Sequence, residues 1–138
     1  MEEYGLTIEI PKDLLSDSGL ENLKQILDSK EELIKKALGA DSLEIKEEDG
    51  KYSFPWVTTM HPADEVMAYT NFIHLLCKFA NNSKWINSKK KEVDNEKYAF
   101  RCFLLRLGFI GDEFKADRKI LLKNLDGSSA FKSGKETK

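Results

Sequence analysis

Cysteine and proline are scarce: two and three residues in a chain of 138. Two cysteines cannot build the cross-linked framework of a small secreted domain. Eight glycines beside three prolines give neither a collagen-like nor a linker-like composition. Long hydrophobic runs are missing as well. The most apolar stretch, Tyr98 to Ile110, is interrupted by Arg101 and Arg106, and is too short and too charged to cross a bilayer. Met1-Glu2-Glu3-Tyr4 is acidic where a secretory signal is basic, and no apolar run with a cleavage site follows. These absences favour a cytoplasmic protein without a membrane partner, its Cys77 and Cys102 reduced and buried in apolar helices.

What is present is globular. Apolar residues make up 41% and charged residues 33%, the latter above the usual share of about a quarter. Leu, Ile, Val and Phe are plentiful enough to exclude a disordered chain, and the length suits one domain with a modest core. The net charge of −2 conceals a division. Residues 1–76 hold 7 Lys/Arg against 16 Asp/Glu, a net of −9, whereas residues 77–138 hold 15 against 8, a net of +7. Either the two halves pack together and partly cancel, or the basic half meets an acidic partner such as nucleic acid or an acidic protein surface.

Hydrophobic periodicity places the elements. Leu6, Ile8 and Ile10 alternate as a half-buried strand that Pro11 stops. Ser18-Gly19-Leu20-Glu21 has the spacing of a capping box. The helix it opens buries Leu20, Leu23, Ile26, Leu27, Ile34 and Leu38, with a possible division at Asp28-Ser29-Lys30 and a left-handed stop at Gly39. Leu43-Glu44-Ile45-Lys46 alternates again, and Asp49-Gly50 suits a tight hairpin into Tyr52, Phe54 and Trp56. Pro55 lacks an N–H, so that strand is expected at an edge or with a bulge there. A second helix opens at His61-Pro62-Ala63-Asp64-Glu65 and is apolar on two sides, the expected spine of the fold. A third, capped by Asp94 or Asn95, runs from Glu96 to Leu107 and ends at Gly108. A fourth runs from about Asp112 to Leu125, with Gly127 as its stop. The expected fold is α+β: a small β-α-β-β layer with the Asp-Gly hairpin, covered by three C-terminal helices. It forms one domain over residues 1–126, acidic in 1–60 and basic in 61–126, followed by a flexible basic tail over 127–138. Trp56, Ile73, Leu76, Phe103, Leu104 and Leu121 are expected in the core.

Enzymatic chemistry finds little support. His74 and Cys77 are three apart, but with only Cys102 and His61 remaining they match no zinc pattern. A Cys–His nucleophile pair needs a polar, accessible thiolate, and the neighbours of Cys77 are apolar. Glu47-Glu48-Asp49 reads as a solvated turn, and Leu107-Gly108-Phe109-Ile110-Gly111 lacks the lysine and hydroxyl of a phosphate loop. No catalytic set, metal or cofactor is therefore expected. The cations are more informative. Lys115, Lys119 and Lys123 recur every four residues beside Arg118, opposite Phe114, Leu121 and Leu125. Lys97 and Arg101 form a second stripe, and Lys89, Lys90 and Lys91 a third cluster near Trp85. Several cations converging on one face are what phosphate contacts need. The glycine turn between the last two helices fits a helix-turn-helix or a plain helical hairpin.

The stretch Asn95-Glu96-Lys97-Tyr98-Ala99-Phe100-Arg101-Cys102-Phe103-Leu104-Leu105-Arg106-Leu107-Gly108-Phe109-Ile110-Gly111, continued by Lys119 to Phe131, resembles a family of small phage and prophage proteins of Gram-positive bacteria labelled "virulence-related protein". The resemblance is close over residues 94–134, looser around Ser53-Phe54-Pro55-Trp56 and the helix from Asp64, and absent from the first 50 residues. It implies a phage or prophage origin and a bacterial host cytoplasm, but no reaction and no catalytic residues. The expected role is a non-catalytic phage accessory protein that binds nucleic acid through its basic helical face. The alternative is an anti-defence inhibitor that binds a host protein, its acidic half imitating nucleic acid.

Overall fold

A computed structural model describes residues 6–57, 62–83 and 95–125. Within them the chain is mixed helix and strand. It has a three-stranded antiparallel sheet, β1 (Leu6–Pro11), β2 (Lys46–Glu48) and β3 (Lys51–Val57), and helices α1 (Asp17–Ser29), α2 (Glu31–Leu38), α3 (Ala63–Asn82), α4 (Glu96–Leu107) and α5 (Lys115–Leu122).

The sheet order is β1-β3-β2, so β3 lies in the centre and not at an edge. Pro55 is accommodated by the register. Lys46 pairs with Ser53 and Glu48 with Lys51, and Asp49 (φ 49°) and Gly50 (φ 75°) make the two-residue connection. In such a hairpin, residues 51, 53 and 55 turn their backbone groups toward β2. The amide that Pro55 lacks is thus the one that would have met Glu44, and β2 stops short at Lys46. The indole Nε1 of Trp56 donates to the Glu44 carbonyl instead, at 2.7 Å. On the other side, the β1–β3 register shifts between Leu6, opposite Val57, and Ile8, opposite Phe54, which makes a bulge around Pro55. Residues 43–45 accordingly lie outside the strand that their alternation suggested.

The helices differ from the sequence pattern at the cap of α1 and in the length of the last helix, whereas the division near Lys30 and the left-handed stop at Gly39 are as expected. The N-cap of α1 is Ser16, whose Oγ accepts from the Gly19 amide at 3.0 Å, and not Ser18. The apolar stretch from Leu20 to Leu38 is two helices that break at Lys30, and α2 ends on Gly39 at φ 67°. The last helix is shorter than its pattern: residues 112–114 form a 3-10 turn, and α5 ends at Leu122.

The core is continuous across both charge halves. Ile8, Ile10, Tyr52 and Phe54 are buried on the sheet, and α3 packs against β1, α1, α4 and α5. Trp56, Ile73, Leu76, Leu104 and Leu121 are fully buried and Phe103 nearly so. Phe72, Phe100 and Phe103 form a ring cluster with centroids 5.7–6.4 Å apart, within the range of favourable aromatic packing. The halves are also joined by polar contacts. Asn22 Nδ2 donates to the Ala80 and Ser83 carbonyls, Lys36 pairs with Glu96 at 2.8 Å, and Asn124 Nδ2 reaches the Ala37 carbonyl. No described helix is long and apolar enough to cross a membrane. The expected tail over 127–138 lies outside the described residues.

Candidate nucleic-acid interface

The basic surface is built on α4, α5 and the connection between them. Asn95 caps α4, its side chain accepting from the Tyr98 amide. Gly108 (φ 117°) ends the helix in a left-handed turn, and Gly111 (φ 88°) turns the chain into α5. Phe109 and Phe114 stack edge to face at 5.3 Å beneath this connection. It spans residues 108–114 and includes a 3-10 turn. The turn of a DNA-binding helix-turn-helix has about three to four residues and the loop of a plain helical hairpin about two to five, so this connection is longer than either.

The four cations expected as one stripe on α5 separate into two kinds. Arg118 folds back so that Nη1 donates to the carbonyls of Phe109 and Gly111, both at 2.9 Å. Lys123 pairs with Glu65 of α3 at 2.6 Å. Asp117 accepts from Asn71 of α3 at 2.8 Å. The Lys123 and Asp117 contacts, with buried Leu121 and Leu122, fix α5 on α3, and Arg118 ties it to the connection from α4. Lys115 and Lys119, one turn apart, are exposed and enter no ion pair or hydrogen bond among the described residues. Lys97 and Arg101, one turn apart on α4, are half-buried and equally uncommitted among the described residues. No hydrogen bond or ion pair among the described residues ties the α4 pair to the α5 pair. Lys89, Lys90 and Lys91 fall outside the described residues.

Four lysines of the acidic half present a contrast, whereas exposed Lys24 and Lys46 are as uncommitted among the described residues as Lys115 and Lys119. Lys12 pairs with Glu47, Lys35 with Glu31 and Lys51 with Glu9, while Lys36 reaches across to Glu96. These four ion pairs lie within the acidic half or reach across to α4, while Lys115 and Lys119 stay exposed and Lys97 and Arg101 half-buried.

The other chemical candidates do not converge. His74 is exposed, whereas Cys77 is buried and its thiol is pushed up to about 12 by desolvation, so it stays protonated at neutral pH. Cys102 is half-buried, more accessible than its apolar helix suggested. Tyr69 is likewise pushed up to about 12, by burial and by Glu65 beside it. Among the described residues no three His, Cys, Asp or Glu side chains are grouped to hold a metal. Sequence reasoning missed the anchoring roles of Arg118 and Lys123, because the spacing of cations along a helix is the same whether they stay free or reach a neighbouring helix or loop. It also missed Asn22 and Asn81, whose roles depend on α1 and α3 being adjacent. No family model, curated protein or solved structure matches the chain.

Proposed function

We propose that this chain is a non-catalytic accessory protein, of the phage kind its C-terminal resemblance implies, that binds nucleic acid through Lys115 and Lys119 of α5 with Lys97 and Arg101 of α4. The observation that carries the reading is that Lys115 and Lys119 are exposed and unpaired among the described residues, while the neighbouring Arg118 and Lys123 are held in structural contacts. Cations without a carboxylate partner are free to replace the counterions of a phosphate backbone. The contacts are to phosphates, so they set affinity and not base sequence. Arg118 and Lys123 act as positioning residues that hold α5 in place.

A mobility-shift titration on duplex and single-stranded DNA at low and moderate salt tests this. Binding weakens steeply with salt, and Lys115→Ala with Lys119→Ala weakens it for all sequences alike and flattens the salt slope. The thermal midpoint stays nearly unchanged, because exposed charges contribute little to folding. No shift at micromolar protein on either substrate overturns the reading in favour of a host-protein inhibitor.

A further inference from the structure

Residues 41–45 run beside α1 and α2 and enclose with them an open recess of about 390 Å3, within the range of about 300–1,000 Å3 typical of ligand pockets. Its apolar lining is Leu27, which is buried, with Leu43 and Ile45, which are half-buried. Lys35 on its rim is neutralised by Glu31 at 2.8 Å. Asp28, Asp41 and Glu44 also face the recess, against Lys24 alone, and none of the three carboxylates has a side-chain partner among the described residues. The surrounding residues 1–76 carry a net of −9, so the wider field has the same sign as the rim. One backbone point of this wall is fixed, because the Trp56 indole donates to the Glu44 carbonyl at 2.7 Å.

We propose that this recess docks a short cationic segment of a partner protein. An aliphatic side chain sits on Leu27, Leu43 and Ile45, and flanking lysine or arginine side chains meet Asp28, Asp41 and Glu44. An anionic ligand is repelled by the unpaired carboxylates. A purely apolar one leaves them without compensation, so charge complementarity selects a ligand that is both cationic and aliphatic. The site is independent of the cations on α4 and α5, so its failure and that of the nucleic-acid reading are separable.

The test is fluorescence anisotropy with a fluorescein-labelled peptide, Lys-Leu-Lys-Arg-Leu-Lys, titrated with the full chain. The combined Asp28→Asn, Asp41→Asn and Glu44→Gln variant weakens binding about tenfold or more. An equal charge change on the exposed hairpin side, Asp13→Asn with Glu48→Gln and Asp49→Asn, changes it by less than about threefold. The peptide with serine in place of leucine, at unchanged charge, binds about tenfold more weakly. Unchanged circular dichroism spectra establish that both variants are folded. Equal weakening by both variants, equal affinity for the serine peptide, or no binding at millimolar concentration overturns the proposal. Self-association that the peptide reverses overturns it too, by placing a second copy in the recess.

Discussion

Gly19 and Asn81 meet so closely that a Cβ on Gly19 would stand 2.4 Å from Asn81 Oδ1 and 3.0 Å from its Cα. The same Oδ1 accepts from the Ser16 amide at 2.8 Å and from the Ser16 hydroxyl at 3.0 Å, so the N-terminus of α1 is tied to the C-terminus of α3 at the point of closest approach. Gly19→Ala is therefore expected to destabilise the protein by about 1–3 kcal/mol, the usual cost of overpacking. At an unconstrained helical position the same change would stabilise by up to about 1 kcal/mol. Urea denaturation gives the sign. In an Asn81→Ala background the penalty shrinks, because the nearest atom is gone and the remaining crowding comes from the backbone of α3 and from Leu15.

Arg118 and Lys119 are adjacent in sequence and are expected to respond in opposite ways. Arg118→Lys keeps the charge but loses the planar group that reaches two carbonyls at once, at a cost of about 1–3 kcal/mol. Lys119→Ala changes stability by no more than about 0.5 kcal/mol. Lys123→Ala lies between them, below about 1 kcal/mol, since its ion pair with Glu65 is partly exposed. Thermal midpoints of the three single variants check the order, and a large loss in Lys119→Ala would contradict it.

Alkaline pH is expected to destabilise the fold. The Cys77 thiol rises from 9.0 to about 12 and the Tyr69 phenol from 10.0 to about 12 on folding, both chiefly through desolvation. The folded state therefore holds protons that the unfolded state has released. This stabilising contribution is complete below about pH 9 and declines as pH rises toward 12. Urea midpoints between pH 8 and pH 11 should fall, and Cys77→Ala should lessen the fall while lowering stability at every pH. A midpoint level across that range would refute the linkage. Under native conditions a thiol reagent should modify Cys102 before Cys77.

Trp56 has two functions that substitution can separate. Trp56→Phe keeps an aromatic ring against Phe54, whose centroid lies 5.3 Å away, but loses the bond to the Glu44 carbonyl. The expected loss is about 1–3 kcal/mol, with weaker amide-exchange protection over residues 43–45. Phe103→Ala removes a ring from the three-phenylalanine cluster and should cost about 3–5 kcal/mol.

Periodicity and glycine placement made the helices legible. The stripe of Ile73 and Leu76, the left-handed stops at Gly39 and Gly108, and the burial of Leu104 and Leu121 are local consequences of local pattern. The bulge at Pro55 was legible, but the central place of its strand was not, because a proline's missing amide matters only on the side that a neighbour occupies. Sequence shows the absence and not the direction. The cap of α1 was misassigned for a related reason: Ser16 and Ser18 are equally competent residues, and the contact with Asn81, 65 positions away, favours Ser16. The candidate interface was half legible. Composition located the basic helices, but only the fold distinguishes Lys115 and Lys119 from Lys123, which reaches Glu65 of α3, and from Arg118, which reaches the Phe109 and Gly111 carbonyls.

Pro55 makes sheet length and recess alternatives to each other. A residue with an amide at that position could accept Glu44 as a strand partner, and β2 could then zip back through Ile45 and draw Leu43 away from α1 and α2. The chain that gained two rungs of ladder would lose a concavity. The outline of this sheet, narrow beside residues 54–57 and full width only at the hairpin, is thus set by one absent hydrogen atom. A substitution there would redraw the molecule's surface more than its interior.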